Sequence, residues 1–398
     1  MKIEGQAIKG EWSPKWQPVV DAFAANFTEG EQGAGVALYS AGELVVNIWA
    51  GERSNRLAGI ANHPWAEDTI VNIFSAGKGL VALCVLQLVE QGKLDLDSPI
   101  AHYWPEFAQG DKAAVSVRDV LSHRSGLSAF HQHIGDEQIF NWDAMTAAAA
   151  SETPWWQPGA RQGYSPFMYG WILGELVRRV SGYASFNDYF QAHIAVPLGV
   201  TCYFGVPDSA LGLIADTGPL KRNASAVSNG ADSVALGKLM KADPRGVTNR
   251  AFCNPISLMT ATNTQAWRQA QIPAANAHAN AQAIAAIYGD LARSNSTLLS
   301  PATLPLAWQE QTFNDDQVLG LPLRFGCGFM LSQADRSDCR YGRGARAFGH
   351  PGAGGCVGFA DPDYELGFGY VTSRMGQNIL IDERAVLLID AAYEVLGE

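Results

Sequence analysis

The chain carries its strand-like runs near its two ends and helix-like pieces between them, so any compact fold has to bring the ends together. Early on, Gly35 to Gly51 holds two apolar runs, GVALYS and ELVVNIWAG, around Ala41-Gly42, the signature of a hairpin. Late in the chain come FGCGFMLS, CVGFADP and LGFGYVTS, followed by a helix over Asp382 to Leu396 whose apolar positions recur at helical spacing. Another helix is expected around Trp16 to Phe27. From about Arg118 to Ala292 the pattern is helical, rich in Ala, Leu and Arg, as in Tyr169 to Val180 and Phe186 to Ile194, with Pro and Gly between the pieces. The economical fold is an α/β sandwich, an antiparallel sheet flanked by helices and built from both termini, with an inserted helical domain. Residues 1–115 and 293–398 would form the sandwich, residues 116–292 the helical domain, and a functional site would lie between them.

Composition narrows the possible partners. At 398 residues, 47% hydrophobic and 17% charged, the chain buries a large core and is no disordered polymer. Its 28 basic and 39 acidic side chains leave a net charge of -11, which repels nucleic-acid backbones and anionic membrane surfaces. No apolar run approaches the roughly 18 residues of a membrane span; the longest strong one, Leu80 to Val89, is interrupted by Gln87. The start, MKIEGQAIKGEWSPKW, lacks the apolar core of a secretory leader, so the expected location is cytoplasmic unless a leader has been removed. The six cysteines are scattered without a CxxC pair and read as mostly buried thiols rather than a zinc or disulfide frame.

Chemistry concentrates in three places. Ser75-Ala76-Gly77-Lys78 is an S-x-x-K at the start of SAGKGLVALCVLQLVEQ, a helix apolar nearly all round and stopped by Gly92. Positions i and i+3 share a helix face, so hydroxyl and amine can meet. Burial and the positive helix end both favour the neutral amine, which can take a proton from an alcohol. The alternative is a capping serine beside a snorkelling lysine, but a lysine in the midst of an apolar run has little structural purpose. The second place is Tyr164, after a Pro158-Gly159 turn and just ahead of a helix, able to lend a phenol to proton transfer although a lone tyrosine there is more often packing. The third is Gly349-His350-Pro351-Gly352-Ala353-Gly354-Gly355 between strand-like runs, where glycine lets a substrate approach the backbone. It is no phosphate loop, because no Lys-Ser/Thr and no helix follow.

Taken together, Ser75-x-x-Lys78, the Pro158-Gly159 to Tyr164 loop and His350-Pro351-Gly352 resemble the serine β-lactamase and penicillin-binding-protein superfamily, nearest its class C-like esterase branch, the family VIII carboxylesterases. Leu121-Ser122-His123-Arg124-Ser125-Gly126-Leu127, Asp95-Leu96-Asp97-Ser98-Pro99-Ile100, Tyr169-Gly170-Trp171 with Gly174-Glu175, Val196-Pro197-Leu198-Gly199 and the Phe348 to Gly369 strand pair fit the same pattern. The motifs are in the expected order over about residues 20 to 395. The resemblance implies a β-lactamase-like fold, with Ser75 as the acylated nucleophile, Lys78 as its base and Tyr164 as the proton shuttle. It implies an oxyanion hole from the backbone N–H groups of Ser75 and Ala353. It also puts His350 and Gly352 at the substrate-binding place of Lys-Thr-Gly, and calls for no metal and no cofactor.

Two departures shape the expected substrate. Tyr164-Ser165-Pro166 lacks the asparagine of Tyr-x-Asn, and His350 replaces the usual lysine, weakening recognition of a substrate carboxylate. Both favour a neutral small-molecule ester over a penicillin-like anion; the expected acyl chain is short to medium, with β-lactamase or D-amino-acid peptidase or amidase activity as the alternative on the same scaffold. Trp155 and Trp156 suggest hydrophobic acyl or alcohol groups.

Other readings are weaker. No G-x-S-x-G supports a Ser-His-Asp hydrolase. His131 and His133 lack a third metal ligand at suitable spacing. Asp315-Asp316 and Asp361-x-Asp363 read as turns rather than a glycosidase dyad. A non-catalytic binding or sensor module would have no use for Ser75, Lys78 and Tyr164 together.

Overall fold

The computed structural model describes residues 2–3, 6–219 and 231–397, so residues 220–230 of the expected helical domain lie outside the described residues. Strands Gly33–Ser40 and Glu43–Asn55 form the expected hairpin, turning at Ala41 (φ 50°) and Gly42 (φ 84°), two left-handed positions that suit the twist of the flanking strands. Strand Leu366–Thr372 pairs antiparallel with Gly33–Ser40, Leu366 opposite Ser40 and Thr372 opposite Ala34, and this pairing joins the two ends of the chain. The resulting ten-stranded antiparallel sheet runs in the order Thr312–Asp315, Pro322–Phe325, Met330–Leu331, Phe348–Pro351, Val357–Asp361, Leu366–Thr372, Gly33–Ser40, Glu43–Asn55, Lys9–Trp12, with Ile60–Pro64 also pairing Glu43–Asn55. Loop-closure entropy grows only logarithmically with length, about 0.6 kcal/mol for each doubling, so strands more than 300 residues apart can still be joined.

The first six residues of Gly33–Ser40 are all buried, as expected of a strand covered on both faces. On one face, helices Gln17–Thr28 and Glu383–Leu396 pack together through stripes that include Val20 and Phe23, and Leu388 and Ala392. Tyr370 points to that side and its hydroxyl bonds Glu31, which pairs with Arg384 (Nη1 to Oε2, 2.5 Å). On the other face lies helix Ala281–Leu291. That helix corrects the expected domain boundary: read from sequence as part of the helical insertion ending at 292, it instead packs on the sheet. The physical reason is a match of small residues. Strand alternation turns Gly367 and Gly369 to one face, and helix spacing does the same for Ala281, Ala285 and Gly289. A side chain at Gly367 would stand 2.2 Å from the Gly289 nitrogen, and one at Gly369 2.4 Å from the Ala281 oxygen.

Between the ends lie the helices Trp142–Ser151, Met168–Ser181 and Phe186–Phe190, the last two close to the expected Tyr169 to Val180 and Phe186 to Ile194. A small four-stranded sheet, Cys202–Phe204, Ala277–Ala279, Ile70–Asn72, Ile214–Ala215, has strands of two or three residues, too short to show as alternation in the sequence. It matters because Ile70–Asn72 leads straight into the Ser75 turn. Among the described residues no helix is long and apolar enough to cross a membrane. All six cysteines are free thiols, and all but the half-buried Cys253 are buried.

Candidate active site

The 3-10 turn Phe74–Ala76 carries Ser75 onto the start of helix Gly77–Glu90, which is buried from Gly77 to Leu88. Phe74, just before the serine, has φ 48°, a conformation that side-chain-bearing residues seldom adopt and that concentrates at functional turns. Two glycines let the helix sink into its neighbours: a Cβ at Gly77 would stand 2.9 Å from that of Ala277, and one at Gly79 2.3 Å from the Tyr288 hydroxyl. The deep setting removes water from Lys78, whose side chain is fully buried.

Lys78 and Ser75 meet as their spacing predicts, Nζ to Oγ at 2.9 Å. Nζ also donates to the carbonyl oxygens of Pro166 and Ala274, each at 2.8 Å. Burial, with no compensating anion, pulls the Lys78 pKa well below its ordinary value. A neutral amine owns two N–H bonds and one lone pair; two carbonyls take the hydrogens, and the lone pair is left for the Ser75 hydroxyl. Pro166 occupies the position of the missing asparagine, so the backbone there bonds the lysine although its side chain cannot. The Pro166 and Ala274 acceptors left no trace in the sequence, since every residue has a carbonyl.

Tyr164 is buried beside them. Its ring lies 4.9 Å from Lys78 Nζ. Burial pushes its pKa up, against the smaller opposing effect of the nearby Ser75 hydroxyl, so the phenol keeps its proton. The three side chains, 89 residues apart at the extremes of the sequence, therefore form one cluster.

His350 lies on strand Phe348–Pro351, 6.0 Å from Tyr164 between ring centres. Its Nδ1 bonds the Pro351 carbonyl at 2.8 Å, which assigns the proton to Nδ1, and Nε2 has no partner among the described residues. Burial, against the opposing bond to Pro351, holds its pKa down to about 3, so the ring stays neutral. Gly352 follows where a side chain would collide with the Ile73 carbonyl at 2.1 Å, and glycine is what lets this strand end lie against the serine turn. In the next residues the amides of Gly354 and Gly355 are engaged by Asn378 and Gly352, while the Ala353 amide donates to none of the described residues. The loop is held from behind by buried Arg384, which donates to the Gly354 carbonyl at 2.7 Å.

The remaining sequence candidates lie outside this cluster. His131 bonds Glu152 at 2.6 Å and stacks on Trp155 with ring centres 4.0 Å apart. Trp156 lies against Gly163, next to Tyr164, where a side chain at 163 would stand 2.2 Å from its ring. Asp361 accepts from the Tyr393 hydroxyl and the Gly344 amide, and Asp363 from the Arg346 amide. Asp316 does hold a turn, through the Val318 and Leu319 amides, but it also accepts the Tyr164 amide at 2.8 Å. His123 stood in the sequence only as part of a matching run; its ring packs 4.9 Å from that of Tyr164. Among the described residues no group of three or more His, Cys, Asp or Glu side chains is arranged to hold a metal ion.

Comparison with known proteins agrees with this architecture. The family model described as Beta-lactamase matches residues 20–392. The chain is 28% identical over 390 residues to the esterase/beta-lactamase LipL of Mycobacterium tuberculosis, covering 96% of this chain and 86% of that protein. Among solved structures, a family VIII carboxylesterase superposes with a TM-score of 0.86 at 34% identity over 98% of this chain and 100% of that one. A penicillin-binding-protein homologue from Caulobacter crescentus does so with a TM-score of 0.85, also at 34% identity and with the same coverage.

Proposed function

The chain belongs to the beta-lactamase family, and from that premise we propose that it is a serine carboxylesterase that cleaves small neutral esters through an acyl-enzyme on Ser75. The observation that carries the reading is the buried lysine with two of its three contacts on carbonyls and the third on the Ser75 hydroxyl, 2.9 Å away. In the first half-reaction Ser75 Oγ attacks the ester carbonyl while Lys78 Nζ takes its proton. The Ser75 and Ala353 amides stabilise the oxyanion as it forms, a contribution of several kcal/mol where one such donor alone is worth about 3 kcal/mol. As the tetrahedral intermediate collapses, the Tyr164 phenol gives its proton to the departing alkoxide and recovers one from Lys78, so the ester C–O bond breaks and a neutral alcohol leaves. Water then enters, loses a proton to the same pair, attacks the acyl carbon and releases the acid, with Ser75 regaining its proton.

The neutral, buried His350 supports an uncharged substrate. A lysine at this place would offer an anionic substrate a positive charge; an imidazole held neutral, with its one N–H already given to Pro351, offers only the lone pair of Nε2. Trp156, beside Tyr164, supports hydrophobic groups on the short to medium acyl or alcohol part. The esterase relatives named above support the same choice.

The test compares turnover of p-nitrophenyl butyrate, nitrocefin and a D-alanyl peptide by the wild type and by Ser75→Ala. Ester turnover that exceeds the other two and vanishes in the variant, with a phosphonate labelling Ser75 in the wild type, is expected. Dominant nitrocefin or D-alanyl turnover would replace the esterase reading with the lactamase or peptidase one, and undiminished activity in Ser75→Ala would remove Ser75 from the chemistry.

A further inference from the structure

Tyr164 stands on an irregular stretch just ahead of helix Met168–Ser181, so nothing in regular secondary structure fixes where its phenol points. Three consecutive amides there are each held by an acceptor from elsewhere in the chain. Gly163 N donates to the His123 carbonyl oxygen at 2.9 Å, Tyr164 N to Asp316 Oδ2 at 2.8 Å, and Ser165 N to His123 Nδ1 at 3.1 Å. One residue thus grips both neighbours of the tyrosine, by its main chain on one side and its ring on the other, while a carboxylate from a distant loop holds the tyrosine itself.

The two holders are themselves constrained. His123 has φ 58°, a left-handed backbone that brings its carbonyl and its ring to bear on the same short run of chain. Its ring is wedged among Tyr164, Tyr169 and Phe325, at 4.9, 5.1 and 4.7 Å between centres. Because Nδ1 accepts, the ring is neutral with its proton on Nε2, which burial also favours. Asp316 spends its other oxygen, Oδ1, on the Val318 and Leu319 amides, each at 2.9 Å. Both side chains are buried, where an acceptor removed would leave an amide unpaired, a cost the loop can relieve only by moving.

We infer that His123 and Asp316 are positioning residues for Tyr164, acting through three backbone hydrogen bonds to set the phenol where the leaving alcohol takes its proton. The inference rests on the acyl-transfer reading above, in which Tyr164 is that proton's donor. It concerns geometry, and misplacement of a reacting group by about 1 Å can cost about 10²-fold in rate.

The experiment uses two butyrate esters that differ only in the leaving group. p-Nitrophenolate departs as an anion; ethoxide needs a proton as it leaves. In the wild type, in Tyr164→Phe and in three further variants, kcat/KM is measured for both esters, with the urea midpoint of each protein alongside. His123→Gly and His123→Asn both tolerate the left-handed backbone and both lose the ring, but asparagine Oδ1 stands where Nδ1 stood. Asp316→Asn cannot accept at both ends of its side chain, so it keeps the turn only by turning an N–H towards the Tyr164 amide. The expected result is a loss of about 10²-fold on the ethyl ester for His123→Gly and Asp316→Asn with a loss below about tenfold on the p-nitrophenyl ester, and recovery of most of it in His123→Asn. Equal losses on the two esters, or an asparagine variant no better than glycine, would overturn the inference. If Tyr164→Phe shows the selective loss while the His123 and Asp316 variants do not, the positioning role fails and the esterase reading survives. A wild type that cleaves neither ester ends both.

Discussion

Replacing Lys78 by methionine asks whether the amine is uncharged in the folded protein, as a base for Ser75 must be. Its two carbonyl contacts and single hydroxyl contact match the two hydrogens and one lone pair of a neutral amine, and burial alone pulls its pKa well below the ordinary value. In the unfolded chain a lysine titrates near 10.4, so between the folded and unfolded pKa values the unfolded state holds one more proton than the folded state. Stability then rises with pH in that window, by about 1.4 kcal/mol per unit, because raising the pH removes the proton that only the unfolded chain binds. Methionine has no such proton in either state. From pH 7.5 to 9 the wild type should therefore gain about 2 kcal/mol on Lys78→Met. Lys112, which burial holds at about 8, titrates in the same range but is common to both proteins and cancels. Urea unfolding followed by the fluorescence of the eleven tryptophans gives the two curves. Parallel curves would mean that folded Lys78 carries its proton, and an ammonium donating three hydrogen bonds cannot accept the serine proton.

Acid should unfold the protein through its neutral buried histidines. His350 and His278 are both held near 3, so below pH 6.5 the unfolded chain takes up their protons first and each subtracts about 1.4 kcal/mol per unit; in His350→Gln the acid limb of a stability curve should flatten by one proton's slope. Gly352→Ala would drive a methyl group to within 2.1 Å of the Ile73 carbonyl, and kcat/KM for p-nitrophenyl butyrate should fall about 10²-fold as the strand is pushed off the serine turn; unchanged kinetics would refute that close approach. Gly367→Ala, far from the site, would collide with the Gly289 backbone at 2.2 Å and should lower unfolding free energy by about 1–3 kcal/mol without selective loss of activity, as read by urea titration and ester turnover together.

The hairpin at Ala41-Gly42, the end strands, the terminal helix and the buried Ser75 helix were legible because each is a local pattern: a turn dipeptide, an alternation, a helical stripe, an all-round apolar run. Helix Ala281–Leu291 was equally legible as a helix, yet its partner was not, since the glycines it packs on belong to strands some 80 residues later. The two- and three-residue strands of the small sheet carry too few side chains for any period to show. The same division runs through the site. Ser75 and Lys78 could be paired on spacing alone, and Tyr164 and His350 could be put beside them only through the order of motifs that the family shares.

By itself, the sequence determined which residues bring reactive groups and which segments prefer helix or strand, because those are properties of side chains and of neighbours a few positions apart. Only the tertiary structure decided that Lys78 is stripped of water, that the carbonyls of Pro166 and Ala274 take its hydrogens, and that His123 and Asp316 hold the chain on which Tyr164 stands. Charge state and aim depend on burial and on backbone atoms that every residue possesses alike, and no string of side chains records where those atoms converge.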